Sequence, residues 1–574
     1  MPDNPSFYAL LTDWCDGLLA HQIRGMADSS LNGAFVCPAC QHLHGRGDNA
    51  IFPLLYQYHL TGKPAYRDAA FLCFDWQKNL LCDNRAVYND GNSDWQAITA
   101  FSAIGLCKSL RAFSPEIGER VPEWETRLKG FGEWIYHNLT PSYYSNINYQ
   151  CAAAEAMALL GAYFARQEYL DRAEELLAYG LSHFTENGIL YGEGHPHDLV
   201  TEHGCRAVDI GYNLEESVPA LCEAAKVLGR KDDQRFLLRV LQKQLDFFLP
   251  DGGIDNSFSA RNYKWTYYGS RTSDGAASAY ALFAGEDPRF AEVACRNIDQ
   301  MARCTHNGLL YGGPDYYEAG EKPCIHHTIC HAFGLADALM QGLRRPENPV
   351  ALPVDDFQES VRYFPELATY RMVSGGFLAD FTAYDFEKSS FAAGRGHASG
   401  GTMSLLVHRS AGVLMASSVM NYRLSEPLNQ QLPRLLARHA PLTLRAEIQK
   451  GTKRYVSCLD GQAKMIPKAT ASGLQMTVDS GFTDLSGKPA PFAAGTTFRY
   501  RFCENRVECT VSFWGEAENA RLILPILKEK PVVLKTDSPT SKRDIFHLVP
   551  GFLATEYTLT AENRPVHWVL EVCL

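Results

Sequence analysis

The sequence has no excess of positive charge: 54 Lys and Arg stand against 65 Asp and Glu, a formal net charge of -11. That excludes the chain-wide basic surface that nucleic acid requires. It does not exclude an anionic ligand, because a local positive pocket can dominate the field that a ligand meets. No run of 18 apolar residues occurs, so no helix is expected to span a membrane. Low-complexity segments are missing as well, which argues against disorder away from the ends. The N-terminus, MPDNPSFYALLTDWCDG, lacks a basic region followed by an apolar stretch. With Met1 as the natural start, the expected compartment is the cytoplasm; removal of a leader would make it the periplasm. The 17 cysteines are odd in number and scattered through helical patterns such as FLCFDW and AIGLCKSL. Buried free thiols fit this better than a disulfide framework.

What is present divides the chain in two. Over 1–345, 3.6-residue periodicity predicts twelve helices, near 5–25, 48–61, 64–81, 94–113, 122–138, 147–166, 168–184, 213–229, 232–248, 273–284, 288–303 and 325–343. Tight connections, such as Gly62-Lys63 and Gly229-Arg230-Lys231, alternate with long ones at 26–47, 82–93, 185–212, 249–272 and 304–324. Antiparallel helices reverse at each connection, so the long loops share one end. Two of the loops echo each other: Asn187-Gly188-Ile189-Leu190-Tyr191-Gly192 and Asn307-Gly308-Leu309-Leu310-Tyr311-Gly312. Repeated helical hairpins suggest a closed double ring, an (α/α)6 toroid, rather than an open superhelix. RRPENPVALPVDD reads as a linker, assigned to 346–356. Beyond it, TFRYRF, VECTVSFW, PVVLKT and VHWVLEV alternate with period two. The expected fold is α+β and multidomain, with 357–574 forming an antiparallel β-sandwich of two packed sheets.

Polar and aromatic residues gather in the long loops and the helix starts that follow them. RNYKWTYYGSRTSDG sets Arg261, Lys264 and Arg271 among Trp265, Tyr267 and Tyr268. NINYQC presents Asn148; DIGYNLEES presents Asp209, Tyr212, Asn213 and Glu216; PCIHHTICHA presents His326, His327 and His331. CQHLHGRGD carries His44 and Arg46, and NDGNSDWQAIT carries Trp95. Each has a plainer reading. Helix-start Asn and Asp are commonly caps, histidines four apart can be satisfied core residues, and aromatics can pack between hairpins. Cys37 and Cys40 in CPAC are half of a zinc knuckle, to be completed by His42, His44, Cys330 or His331; two buried thiols are the alternative.

CPACQHLHGRGD, NDGNSDWQAIT, DIGYNLEES, DGGIDNSFSARNYKWTYYGSRTSDG and CTHNGLLYGGPDYY with CIHHTICHA resemble the heparinase II/III-like polysaccharide lyases. Within them they are most similar to the L-rhamnose-α-1,4-D-glucuronate lyases acting on arabinogalactan. The likeness covers most of 30–335; in the β domain it rests on GRGHASGGTMSLLVH (394–408). It implies β-elimination at a uronic acid. A base takes the C5 proton, the carboxylate is neutralised as charge builds, and the bond at C4 breaks. It also implies catalytic roles for Asn148, Tyr268 and His326 or His327, an anionic oligosaccharide substrate and no cofactor for the elimination itself.

On this reading Arg271 and Lys264 hold the carboxylate and ease the ionisation of Tyr268. Trp265 stacks on a sugar. Tyr267, Arg261, Asn213, Glu216, His44, Arg46, Trp95 and His331 complete the binding surface. A rival is a glycoside hydrolase using paired carboxylates, Asp94 with Glu216 or Asp209, or a zinc-held cysteine. Another is a sugar-binding protein without catalysis. The sequence leaves oligomeric state open.

Overall fold

The computed structural model describes residues 5–90, 94–386, 396–425, 430–471 and 473–573. Residues 91–93 of NDGNSDWQAIT and 394–395 of GRGHASGGTMSLLVH therefore lie outside the described residues. The N-terminal part is helical: α1 (Pro5–His21), α2 (Ile51–Thr61), α3 (Pro64–Gln77), α4 (Thr99–Ile117), α5 (Val121–Asn138), α6 (Ile147–Phe164) and α7 (Gln167–Leu181). One turn, α8 (Ile210–Tyr212), runs through a π-helical turn at Asn213–Ser217 into α9 (Val218–Val227). Then come α10 (Lys231–Gln244), α11 (Ala277–Leu282), α12 (Pro288–Arg303) and α13 (Ile325–Met340). Among the described residues no helix is long and apolar enough to cross a membrane.

The helices pair as hairpins. The members α2, α4, α6, α9, α11 and α13 touch one another in that order, and α13 returns to α2. The partners α3, α5, α7, α10, α12 and α1 pack against them in turn. α6 shows why its kind lies inside. Its body, CAAAEAMALLG, is apolar on every side but for Glu155, and Cys151–Gly161 is buried throughout. A helix without a polar face must be covered on every side.

The long loops repeat one local device. After α3, α7, α10 and α12 the chain makes a short antiparallel bridge: Leu81 with Val87, Phe184 with Leu190, Phe248 with Ile254, and Thr305–His306 with Leu309–Leu310. Three of these hairpins are pinned by a side chain near the start of the following helix. Val87 N–H donates to Thr99 Oγ1 (2.9 Å), Leu190 N–H to Asn213 Oδ1 (2.7 Å), and Leu310 N–H to Thr328 Oγ1 (2.9 Å). The echo between residues 187–192 and 307–312 is therefore structural.

The C-terminal part holds three principal antiparallel sheets among the described residues, where sequence alternation suggested two. A six-stranded sheet runs in the order Lys464–Thr470, Gly473–Gly481, Ala494–Cys503, Arg506–Gly515, Val566–Val572, Val532–Thr536. A five-stranded sheet is built from Lys453–Val456, Arg445–Lys450, Arg521–Leu527, Phe552–Thr560 and Thr540–His547. The third spans Ser360–Phe364, Thr369–Ser374, Phe377–Thr382, Thr402–His408 and Gly412–Ala416. Its strands at 377–382 and 402–408 are buried at every position. Strands covered on both faces lose the polar alternation that marks a half-exposed strand. Leu378, Leu405 and Val407 join the core of the helical part, whereas Phe377, Ala379, Phe381 and Leu406 join the β core. This sheet is thus the layer between the two.

All 17 cysteines are free thiols, most of them buried. Close packing also fixes the loop end. A Cβ on Gly334 of α13 would lie 1.9 Å from the Asp274 carbonyl oxygen. Gly334→Ala is expected to push the 272–275 turn off α13 and destabilise by about 1–3 kcal/mol, read as a lowered midpoint in urea unfolding with unchanged slope.

Candidate active site

The loop that carries the cations is folded by its own backbone. Asn262–Lys264 makes a 3-10 turn, Trp265–Thr266 pairs with Gly269–Ser270, and Arg271 N–H closes onto Lys264 O at 3.0 Å. A Cβ on Gly269 would fall 1.8 Å from Glu215 Oε1. Only glycine lets this hairpin settle on the π-turn, whose Glu215 Oε2 then accepts from Ser270 N–H (2.6 Å) and the Ser273 hydroxyl (2.5 Å).

Two clusters result. In the first, Lys264 Nζ lies 3.3 Å from the Tyr212 hydroxyl, and the Arg261 guanidinium sits over the Tyr212 ring at 4.1 Å. Arg261 is itself paired with buried Glu193 at 2.9 Å. One turn beyond Tyr212, Glu216 Oε1 accepts from Asn148 Nδ2 at 2.5 Å, and Glu216 Oε2 is 3.4 Å from Arg46. Arg46 also donates to Thr272 O (2.8 Å), pairs with Asp274, and covers the Phe101 ring at 3.9 Å. Burial raises the Glu216 carboxyl above the usual carboxylate range against the pull of Arg46.

In the second cluster, Tyr268 Oη and His327 Nδ1 are 3.2 Å apart. The His331 ring meets Tyr268 edge-on at 5.2 Å, and its Nε2 lies 3.5 Å from Glu215. Burial pushes the Tyr268 phenol well up, opposed by Arg271; burial, then Arg271, drives the His327 imidazole well down. Both groups are therefore neutral at pH 7. Arg271 donates to the Tyr316 hydroxyl (2.5 Å) and to Leu548 O (2.7 Å), the latter on a turn of the β domain.

Several expectations are corrected by this geometry. Lys264 reaches Tyr212 and Thr272 instead of activating Tyr268. Trp265 is no sugar platform: it is 0% exposed, with its indole N–H on Ile254 O at 2.9 Å. Tyr267 is likewise core, bonded to Asp251 and packed edge-on against Phe552. Asn213 is consumed in pinning the 184–190 hairpin, its amide donating to Leu190 O and Asp209 O. Asp209 caps Tyr212 N–H and accepts from Asn256, a structural role that removes it as a hydrolytic acid. Asp94 is exposed and sits in neither cluster.

Other residues stand closer to expectation. Trp95 is half-buried with its indole N–H on the Tyr149 hydroxyl (2.9 Å), at the rim beside Tyr143. His44 lies against His326, ring centroids 4.9 Å apart and planes tilted by 40°, and its Nε2 is 3.2 Å from Cys40 Sγ. Sequence reasoning missed Glu193, Glu215, Tyr316 and the β-domain contribution at Leu548. The first three lie in quoted motifs or beside them, but nothing in the local pattern points to Leu548.

A cavity lies between α4, α6, α9, α11 and α13. Its wall reaches Glu215, Glu216 and Asp274, one member or more of each cluster, while Tyr212, Lys264, Tyr268 and His327 do not line it. In the same wall Lys108 joins Glu155 (3.2 Å) and Asp337 (3.0 Å), tying three of the helices together.

Comparison with known proteins places this geometry in a family. The Ulvan lyase N-terminal domain matches residues 11–355 and the Ulvan lyase C-terminal domain matches 361–541. A broad-specificity ulvan lyase of Formosa agariphila is 35% identical over 470 residues, covering 79% of this chain and 72% of the relative. The chondroitin AC lyase of Streptomyces coelicolor A3, solved with chondroitin sulphate, shares the fold with a TM-score of 0.55 at 12% identity. That alignment covers 99% of this chain and 79% of that one. The family shown is thus that of the ulvan lyases and not the arabinogalactan lyases that the motifs resemble. This chain belongs to the ulvan lyase family and is a polysaccharide lyase, a carbon–oxygen lyase working by elimination.

Proposed function

We propose that the protein cleaves an ulvan-type anionic polysaccharide at C4 of a uronic acid, with Tyr212 as the base. The scaffold for this is read as an (α/α)6 toroid closed by α13 against α2, capped by the β domain. The observation that carries the assignment is the placing of Lys264 and Arg261 on Tyr212. Two cations against one phenol stabilise its ionised form, which a tyrosine needs before it can take a carbon-bound proton. Tyr268 is eased toward ionisation by Arg271 but is fully buried, whereas Tyr212 keeps 3% and Lys264 4% of their surface exposed.

The reaction then balances within one residue. Tyr212 phenolate removes the C5 proton, the C4–C5 double bond forms, and the C4–O electrons leave with the departing sugar oxygen. That oxygen takes the proton back from Tyr212. Asn148, Arg46 and a protonated Glu216 supply hydrogen bonds to the substrate carboxylate as negative charge builds on it. Elimination written this way needs no cofactor. The leaving sugar is proposed to be rhamnose and the acid glucuronate, as the sequence motifs imply. Trp95 with Tyr143 and Tyr149 offers aromatic faces for sugars at the rim.

A second reading rests on the 3.2 Å Tyr268–His327 contact. Here His327 donates through Nδ1, takes the C5 proton at Nε2, and Tyr268 protonates the leaving oxygen.

Substitution separates the two. Tyr212→Phe is expected to cut kcat by about 10²–10⁴-fold, followed as ultraviolet absorbance of the unsaturated product. Tyr268→Phe should lower stability by about 1–3 kcal/mol and leave kcat within tenfold; the reverse pattern transfers the role to the second pair. The pH profile gives an independent check. Lys264→Met removes a charge that favours the phenolate, so kcat/KM should need a higher pH to reach its plateau. With His327 as base, whose neutral form persists well below pH 6.5, kcat/KM would instead hold steady as pH falls through 6.5.

A further inference from the structure

We propose that Cys37, Cys40, His44 and Cys324 form a zinc site that clamps the first long loop to the start of α13. Cys37 Sγ, Cys40 Sγ and a ring nitrogen of His44 all lie within 4.8 Å of one another. Cys324, the N-cap residue of α13, places its Sγ 3.7 Å from that of Cys37. Tetrahedral zinc with bonds of about 2.3 Å to sulfur sets its sulfurs about 3.7–3.8 Å apart. A disulfide would need them near 2.05 Å. The pair therefore stands at the edge length of a coordination tetrahedron.

The backbone is folded for the same task. Val36 bridges Leu43, Cys37 N–H donates to His42 O (3.2 Å), and Gln41 N–H donates to Cys37 O (2.9 Å). Gln41 takes a left-handed φ of 59°. This tight turn brings the two thiols of Cys-x-x-Cys and the imidazole four residues after Cys40 to one side. Three sulfurs and one nitrogen are a closed structural set, with no position left for water. Cys37, His44 and Cys324 are buried and Cys40 is half-buried, so the ion would be shielded from exchange. Zinc would bind the three sulfurs as thiolates, displacing their protons.

The consequence is mechanical. Residues 37 and 324 lie near opposite ends of the helical part in sequence, and the clamp would hold α13 at its N-cap, two residues before His326. His44 already lies against His326.

The test is metal content, not turnover. The full chain, purified without chelator, is expected to hold about one zinc, retained through gel filtration. Replacement by cobalt(II) should give thiolate charge-transfer bands and strong tetrahedral d–d bands. Cys40→Ser, on the half-buried side where folding is least at risk, should lose the zinc. Cys324→Ser should weaken retention at least tenfold and reduce the charge-transfer intensity. Metal-free protein that shows no such bands with cobalt(II) would overturn the proposal. So would Cys40→Ser retaining zinc, or a Cys324→Ser spectrum unchanged from that of the parent.

Discussion

A cation removed from water must be met by an acid or by an electron-rich face, and this requirement shapes the loop end of the protein. Arg46 has Glu216, Asp274 and the Phe101 ring; Arg261 has Glu193 and the Tyr212 ring; Lys264 has the Tyr212 hydroxyl. An uncompensated buried charge costs several kcal/mol, so these pairings leave little freedom in where each loop can lie. The same pairings select among the tyrosines. Tyr212 has Lys264 at its hydroxyl and the Glu193-paired Arg261 over its ring, while Tyr268 has deep burial, a neutral imidazole and the charge of Arg271. Chemistry and folding draw on one set of contacts.

The sequence showed the architecture where local rules govern and failed where distant segments meet. Helices and tight turns follow periodicity and glycine placement, and Gly62 indeed ends α2 in the left-handed region. The repeat NG(I/L)LYG marked equivalent hairpins because both must make the same bridge. The strands at 377–382 and 402–408 were invisible because burial on both faces erases alternation. Cys37, Cys40 and His44 were legible from spacing; Cys324 was not, since 287 residues separate it from Cys37.

The candidate site was legible in content and misread in pairing. Lys264, Arg261, Asn148, Glu216 and Arg46 do converge. The error was to give Lys264 to its neighbour in sequence, Tyr268, when the 265–270 hairpin turns that side chain toward Tyr212. Trp265 and Tyr267 looked like sugar platforms because cations flank them. Their ring area is spent instead on joining the loop to Ile254 and to Phe552 of the β domain.

The turn at 547–551 reaches into the loops: Leu548 O accepts from Arg271 and Tyr316, and Pro550 O from Tyr267 N–H. Without the β domain three donors of the loop end, the Arg271 guanidinium, the Tyr316 hydroxyl and the Tyr267 N–H, would lose these acceptors. Donors stripped of their partners in a buried setting are costly, so the helical part is built to be completed by the β domain and not to stand by itself.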